Sequence, residues 1–250
     1  MVIVSAIARC PDPVACLQRY AHLDVWMQLL VTVVAPVAAL LAAVWLARFA
    51  FLLSRADRVV RRLPTAEAAP ARLAAAVART GVRRVRCIAS SDPIAFCAGA
   101  ICPVIVVSEG LADRLDDDEL DAVLLHEHHH LREREPAIRA AAEAAAEVLF
   151  FMPIARWWSR RRTEQAELRA DRAALDELGA QPVAAALCAL GQALSPEAAA
   201  FAGVAELRVA QLLGDPIPVR RPGFSMVATS LFGVAFTIVV GSCIIRPLTM

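Results

Sequence analysis

Four of the five histidines fall in or beside one short run, His126-Glu127-His128-His129-His130. Within it, His126, Glu127 and His130 make the pattern H-E-x-x-H. On a helix, residues four apart share a face and lie about 6 Å apart along the axis. Two imidazoles so placed can bind one Zn²⁺ at about 2.0–2.1 Å. Glu127, one residue on, stands beside a metal-bound water instead of ligating. Zinc lowers the pKa of such a water to about 7, so Glu127 can take its proton and create a nucleophile. A solvated polar helix face, or adventitious metal binding by a His-rich run, would use the same residues for no chemistry.

A catalytic zinc takes three protein ligands and keeps one position open. The segment Glu167-Leu168-Arg169-Ala170-Asp171 begins 37 residues beyond His130 and sets two carboxylates four apart on one helical face. Glu167 would complete a His₂Glu set. Asp171 could hydrogen-bond the far nitrogen of a ligating His and fix its tautomer. Charged residues on either side of the His run, Asp116 to Asp121 and Arg132 to Glu135, keep this helix out of lipid and argue against an intramembrane site.

These residues need helices to hold them. Leu115 to Arg134 reads as the first, capped by Asp116 or Asp117, with Asp118, Glu119 and Asp121 at the positive end of its dipole. Pro136 closes it. Ala137 to Phe151 follows, with Arg139, Glu143 and Glu147 spaced for ion pairs along one face. Val148 to Ile154, with Trp157, Trp158 and Arg160 to Arg162, reads either as a membrane-interface segment or as a core helix before a solvated Arg run. Arg162 to Leu178 is a further helix, stopped by Gly179. Pro182 opens another, and Ala198 to Leu213 ends at Gly214-Asp215-Pro216. Upstream, Ala56 to Gly81 is Ala-rich helix interrupted by Pro64 and Pro70. Arg83 to Ala89 and Val104 to Val107 read as strands, with a turn at Ser91-Asp92-Pro93. The expected fold class is mainly α with a small β-sheet.

The 250 residues are 58% apolar, above the usual range of soluble domains. Val25 to Ala47 and Phe224 to Ile245 carry no charge, and each reaches the roughly 20 residues a bilayer requires. Arg48, Arg55, Arg58, Arg61 and Arg62 follow the first span, and Arg220 and Arg221 precede the second. Positive charge stays inside. The expected organisation is therefore an extracytoplasmic tail (1–24), a span (25–47), a cytoplasmic domain (48–223, core 82–180), a second span (224–245) and an external end (246–250). Met1 to Ala8 lacks the positive start of a signal peptide. The 26 basic and 25 acidic residues nearly cancel, which leaves no field for direct nucleic-acid binding. The seven cysteines show no C-x-x-C and no disulfide framework. Cys10 and Cys16 could pair on the oxidising side or remain free thiols; Cys87, Cys97, Cys102 and Cys188 read as small core residues.

The combined pattern resembles one family. Phe96-x-x-Gly99, Pro103-x-Ile105, Glu109-Gly110-Leu111, Glu119-Leu120-x-Ala122-Val123-Leu124, His126-Glu127-x-x-His130, Arg132 to Pro136, Arg160 to Arg162 and Glu167-x-x-Ala170-Asp171 are similar, in order and spacing, to BlaR/MecR-type antirepressor metallopeptidases, integral-membrane relatives of HtpX-like zinc peptidases. The likeness covers about residues 94–176. It implies an HtpX-like zincin domain, here lying between the two spans read above, with Zn²⁺ as cofactor; the family often has four spans, and this sequence offers two. It also implies endopeptidase activity on a protein or peptide, with transcriptional repressors among the family's substrates. His126, His130 and Glu167 match its zinc ligands, Glu127 its general base and Asp171 its neighbouring carboxylate. His128 and His129 depart from the small or apolar residues common there, and either could compete for metal or donate to an oxyanion. Arg169 or Arg172 could serve the oxyanion too. Too few residues follow the second span for an external sensor domain, so β-lactam sensing is not carried over. The rival expectation is a catalytically inactive membrane scaffold or regulator that keeps the fold. A zinc-containing anti-sigma module would be expected to use Cys ligands, and none lies beside the His run.

Overall fold

The computed structural model describes residues 30–99, 102–191 and 202–245. The expectations for the N-terminal tail with Cys10 and Cys16, for the start of the first span at Val25 to Leu29, and for 246–250 lie outside these. The described chain is mainly helical with one three-stranded sheet.

A π-helical turn, Leu30–Val34, leads into α1, Ala35–Arg62. The uncharged half of α1 turns Leu40, Val44 and Leu46 outward, each about half exposed or more. Helix α9, Phe224–Ile245, does the same with Leu231, Phe232 and Phe236. Both helices are long and apolar enough to cross a membrane. Helix α1 does not stop at the end of its apolar run. It continues to Arg62, so the expected Ala56 helix is its extension, and Pro64 and Pro70 separate it from α2, Ala71–Thr80.

Strands β1 (Val85–Ile88), β2 (Ala95–Ala98) and β3 (Val104–Ser108) form a sheet in the order β1-β3-β2. The β-branched run Ile105-Val106-Val107 occupies the centre and is wholly buried. Strand β3 is parallel to β1 and antiparallel to β2. The two edges differ. Along β1, Ala66 N–H donates to Cys87 O and Ala89 N–H to Pro64 O, which covers that edge. Along the outer side of β2 no other described strand pairs. Ser108 anchors the corner: its Oγ accepts from Ile94 N–H and Leu111 N–H and donates to Asp92 O. The second of these bonds caps α3, Glu109–Arg114. A Cβ on Gly110 would lie 2.0 Å from the Ser91 carbonyl oxygen, so this approach admits only glycine.

Helix α4, Asp117–Arg132, starts from Asp116 with a capping box. Asp116 accepts from Glu119 N–H, and the Glu119 side chain accepts from Asp116 N–H. Leu120 and Leu124 seat it in the core, and Arg79 of α2 grips Asp121 with two hydrogen bonds of 2.8 Å. Arg134, at φ 54°, reverses the chain, and Pro136 lies in the first turn of α5, Glu135–Val148.

Leu149 to Met152 is a tight turn, and α6, Pro153–Leu178, begins nine residues earlier than Arg162. Pro153 suits a first turn, where no intrahelical N–H is needed. Gly233 of α9 lies against this turn, so close that a Cβ would sit 2.1 Å from Phe151 O, and Ser230 Oγ accepts from Ile154 N–H. The expected ion pairs along α5 are redirected between helices: Arg139 reaches Glu167 on α6, and Glu147 pairs with Arg48 on α1. Helices α7 (Ala180–Gly191) and α8 (Ala202–Leu213) pack beside α4 and α6. Cys87 is buried as expected, whereas Cys102 and Cys188 are exposed, each on the solvent side of its segment.

Gly110→Ala forces the α3 start away from Ser91. It should cost about 1–3 kcal/mol, as overpacking does elsewhere. Thermal unfolding of the purified chain in detergent checks this, and an unchanged midpoint would contradict the close approach.

Candidate functional site

The face of α4 that carries His126, Glu127 and His130 meets the face of α6 that carries Glu167 and Asp171. Small residues permit the approach: Ala122 on α4 and Ala166, Ala170 and Ala174 on α6 are buried. His126 Nε2 and His130 Nε2 stand 3.1 Å apart. His126 Nε2 lies 3.5 Å from Glu167 Oε2, and His130 Nε2 lies 3.8 Å from Glu167 Oε1. These three residues offer ligand atoms that all lie within 4.8 Å of one another. Ligands at about 2.0–2.1 Å around a tetrahedral zinc would be separated by about 3.3 Å, so the donor set and its spacing fit that ion.

Asp171 Oδ1 accepts from His126 Nδ1 at 2.9 Å. This bond fixes the orientation of the ring and turns Nε2 toward Glu167 and His130. His130 has no equivalent support among the described residues, where its buried Nδ1 finds no hydrogen-bond partner. Glu127 is buried beside the cluster, where it takes a hydrogen bond from the Cys97 backbone on β2.

The electrostatics follow from burial and charge. Burial pushes the Glu127 carboxyl above the usual carboxylate range, and nearby Glu167 adds to it. Burial would also lift Glu167, but His126, His130 and Arg208 outweigh it and hold that carboxyl well below its ordinary range. Asp171 is lowered in the same way: the cost of burial is overcome by hydrogen bonds from His126 and Arg208. Burial acts downward on both ligand imidazoles. In His126 the hydrogen bonds to Asp171 and Glu167 reverse it and raise the ring to about 9, whereas His130 falls to about 3.

The cluster opens into a cavity of about 870 Å³. One wall is the outer edge of β2 with the turn before it; another is apolar, made by Val183, Ala186, Leu187 and Leu190 of α7. Leu52 and Ala56, from the extension of α1, complete the rim.

His126, Glu127, His130, Glu167 and Asp171 thus lie in one place. Arg169 and Arg172 do not. Arg169 pairs with buried Glu135 at 3.2 Å, Arg172 is exposed, and neither lines the cavity. His128 and His129 also fall outside its lining, because their positions on α4 turn them from the ligand face. The arginines that reach the cluster are Arg139, at 3.2 Å from Glu167, and Arg208 of α8. Arg208 carried no signal in the sequence, since it is a single arginine in an otherwise ordinary amphipathic helix. Its guanidinium holds Asp171 by two bonds of 2.6 and 2.7 Å.

Removing one partner of a buried ion pair leaves an uncompensated charge. Asp171→Ala should therefore cost about 3–5 kcal/mol and Asp171→Asn distinctly less. Chemical unfolding of both variants compares them, and equal small effects would show that the Arg208 pairing contributes little.

No curated protein matches the chain. A family model does, over residues 7–183, and its description is BlaR1 peptidase M56. The matched stretch takes in the first apolar helix, the sheet and the helix pair that brings two histidines against a glutamate. The chain belongs to the BlaR1 peptidase M56 family.

Proposed function

We propose that this chain is a membrane-anchored zinc endopeptidase that cleaves a cytoplasmic or membrane-proximal protein. The observation that carries the reading is the spacing of three ligand atoms from His126, His130 and Glu167, with a buried carboxylate, Glu127, at their side. Zinc bound there would acidify a water molecule and polarise the scissile carbonyl.

The chain's own groups would do the rest. Glu127 accepts the water's proton and later returns it to the leaving amine. Burial raises its carboxyl toward the working pH, which favours transfer in both directions. Asp171 keeps His126 in the tautomer that presents Nε2. The free edge of β2 would hold the substrate as an added strand, with backbone hydrogen bonds for affinity and the apolar wall of α7 for alternate side chains. Strand addition extends the backbone past Cys97, beside Glu127.

The distribution of arginine supports a cytoplasmic placement of 48–223, with core 82–180, between spans 25–47 and 224–245 and with both termini outside. Exposed Phe150 and Trp158, with Arg162 5.6 Å over the Trp158 ring, suit a membrane–water boundary. A transcriptional repressor is the substrate class that the family resemblance suggests, and proteolysis of one would make the chain a signalling protein.

Two variants test the reading. Glu127→Gln should retain about one zinc per chain and lose at least roughly a hundredfold in cleavage, the scale of general acid–base catalysis. Glu167→Ala should lose the zinc. Metal analysis of detergent-purified protein and cleavage of a candidate substrate check both; a cellular function that survives Glu127→Gln would instead indicate a scaffold. For topology, a reporter fused near residue 180 should register on the cytoplasmic side, and an external signal would overturn the placement.

A further inference from the structure

We propose that Arg208 is a positioning residue of the metal centre and that α8, which lies beyond the family-matched stretch, is part of the site. The inference rests on the zinc-peptidase reading above. Arg208 sits in α8, Ala202–Leu213, and reaches across to α6. Its Nε and one terminal nitrogen form a fork onto Asp171, at 2.6 Å to Oδ2 and 2.7 Å to Oδ1. The other terminal nitrogen lies 3.7 Å from Glu167 Oε2. Asp171 is almost wholly buried, at 1% exposure, and the Arg208 side chain is 20% exposed.

The physical need is plain. Glu127, Glu167 and Asp171 place three carboxyl groups in one pocket, where each buried group needs a partner. Asp171 Oδ1 accepts from His126 Nδ1–H, so the orientation of that carboxylate sets the orientation of the ring. A bidentate guanidinium is the side chain best shaped to hold a carboxylate in one orientation. The chain Arg208–Asp171–His126 therefore orients one imidazole, whereas His130 Nδ1 has no partner among the described residues. The preorganisation of His126 depends on this relay. Arg139 also touches Glu167, but from the exposed rim and without contact to Asp171.

A control is available on the same helix. Gln211 Nε2 donates to Leu168 O at 2.9 Å, which tethers α8 to α6 without touching the ion pair. The test is zinc affinity of the full-length, detergent-purified chain, by competition with a chromophoric chelator and zinc alone as the probe. Arg208→Met should weaken zinc about 10-fold or more, in the range known for groups that support a ligating histidine. Asp171→Asn should do likewise, and the double variant should lose little further, since both act through one relay. Arg208→Lys should fall between, and Gln211→Ala should stay near wild type. Wild-type affinity in Arg208→Met, multiplying losses in the double variant, or an equal loss in Gln211→Ala would each overturn the proposal and leave the peptidase reading intact. If Arg208→Met does not yield a folded protein, Arg208→Lys decides: faster zinc release supports the relay, and unchanged release refutes it. Absence of zinc from the wild type overturns the peptidase reading and this inference together.

Discussion

The molecule depends on one contact, the face-to-face meeting of α4 and α6. It brings two imidazoles and two carboxylates within about a hydrogen bond's length of one another, in a place largely closed to water. Burying such groups is costly unless each finds a partner. Much of the surrounding structure supplies those partners. Arg208 neutralises Asp171, Arg139 meets Glu167, and Arg169 holds Glu135, itself 5% exposed. Arg79 locks Asp121, one turn before the cluster. The alanines of both helices matter equally, because bulkier side chains would hold the two faces too far apart for three donors to converge.

The sheet serves the same contact from the side. Its central strand is buried from Ile105 to Ser108, and its outer strand lays the Cys97 backbone against Glu127. The asymmetry between the covered edge at β1 and the open edge at β2 is itself functional in outline. Unpaired strand edges invite other chains, and proteins usually close them. Here one edge is closed by the chain's own backbone at 64–66, and the other borders the cavity.

Much of the site was legible in the sequence because helical period alone relates His126 to His130 and Glu167 to Asp171. The capping box at Asp116 and the stop at Gly179 follow equally local rules. What escaped was set by tertiary packing. Nothing in the order of residues says that Arg139 and Glu147 abandon their own helix for partners on α6 and α1. Nor does it show that Arg208 crosses from α8, while Arg169 points elsewhere. The strand at Ala95–Ala98 is short and unremarkable in composition, and its pairing with β3 is fixed from a distance by Ser108. The early start of α6 was hidden because Pro153, which often interrupts a helix, here begins one.

That early start gives α6 a mechanical property. Its first turn is held against α9 at Ser230 and Gly233, and Glu167 lies 13 positions beyond Ile154. At a rise of 1.5 Å per residue the helix is a lever arm of roughly 20 Å. A tilt of about 3° at the apolar end would swing Glu167 by about 1 Å, a displacement of the size that disables a preorganised site. The stiffness of a single unbroken helix therefore makes the geometry of the His126–His130–Glu167 cluster sensitive to how the start of α6 sits against the apolar α9.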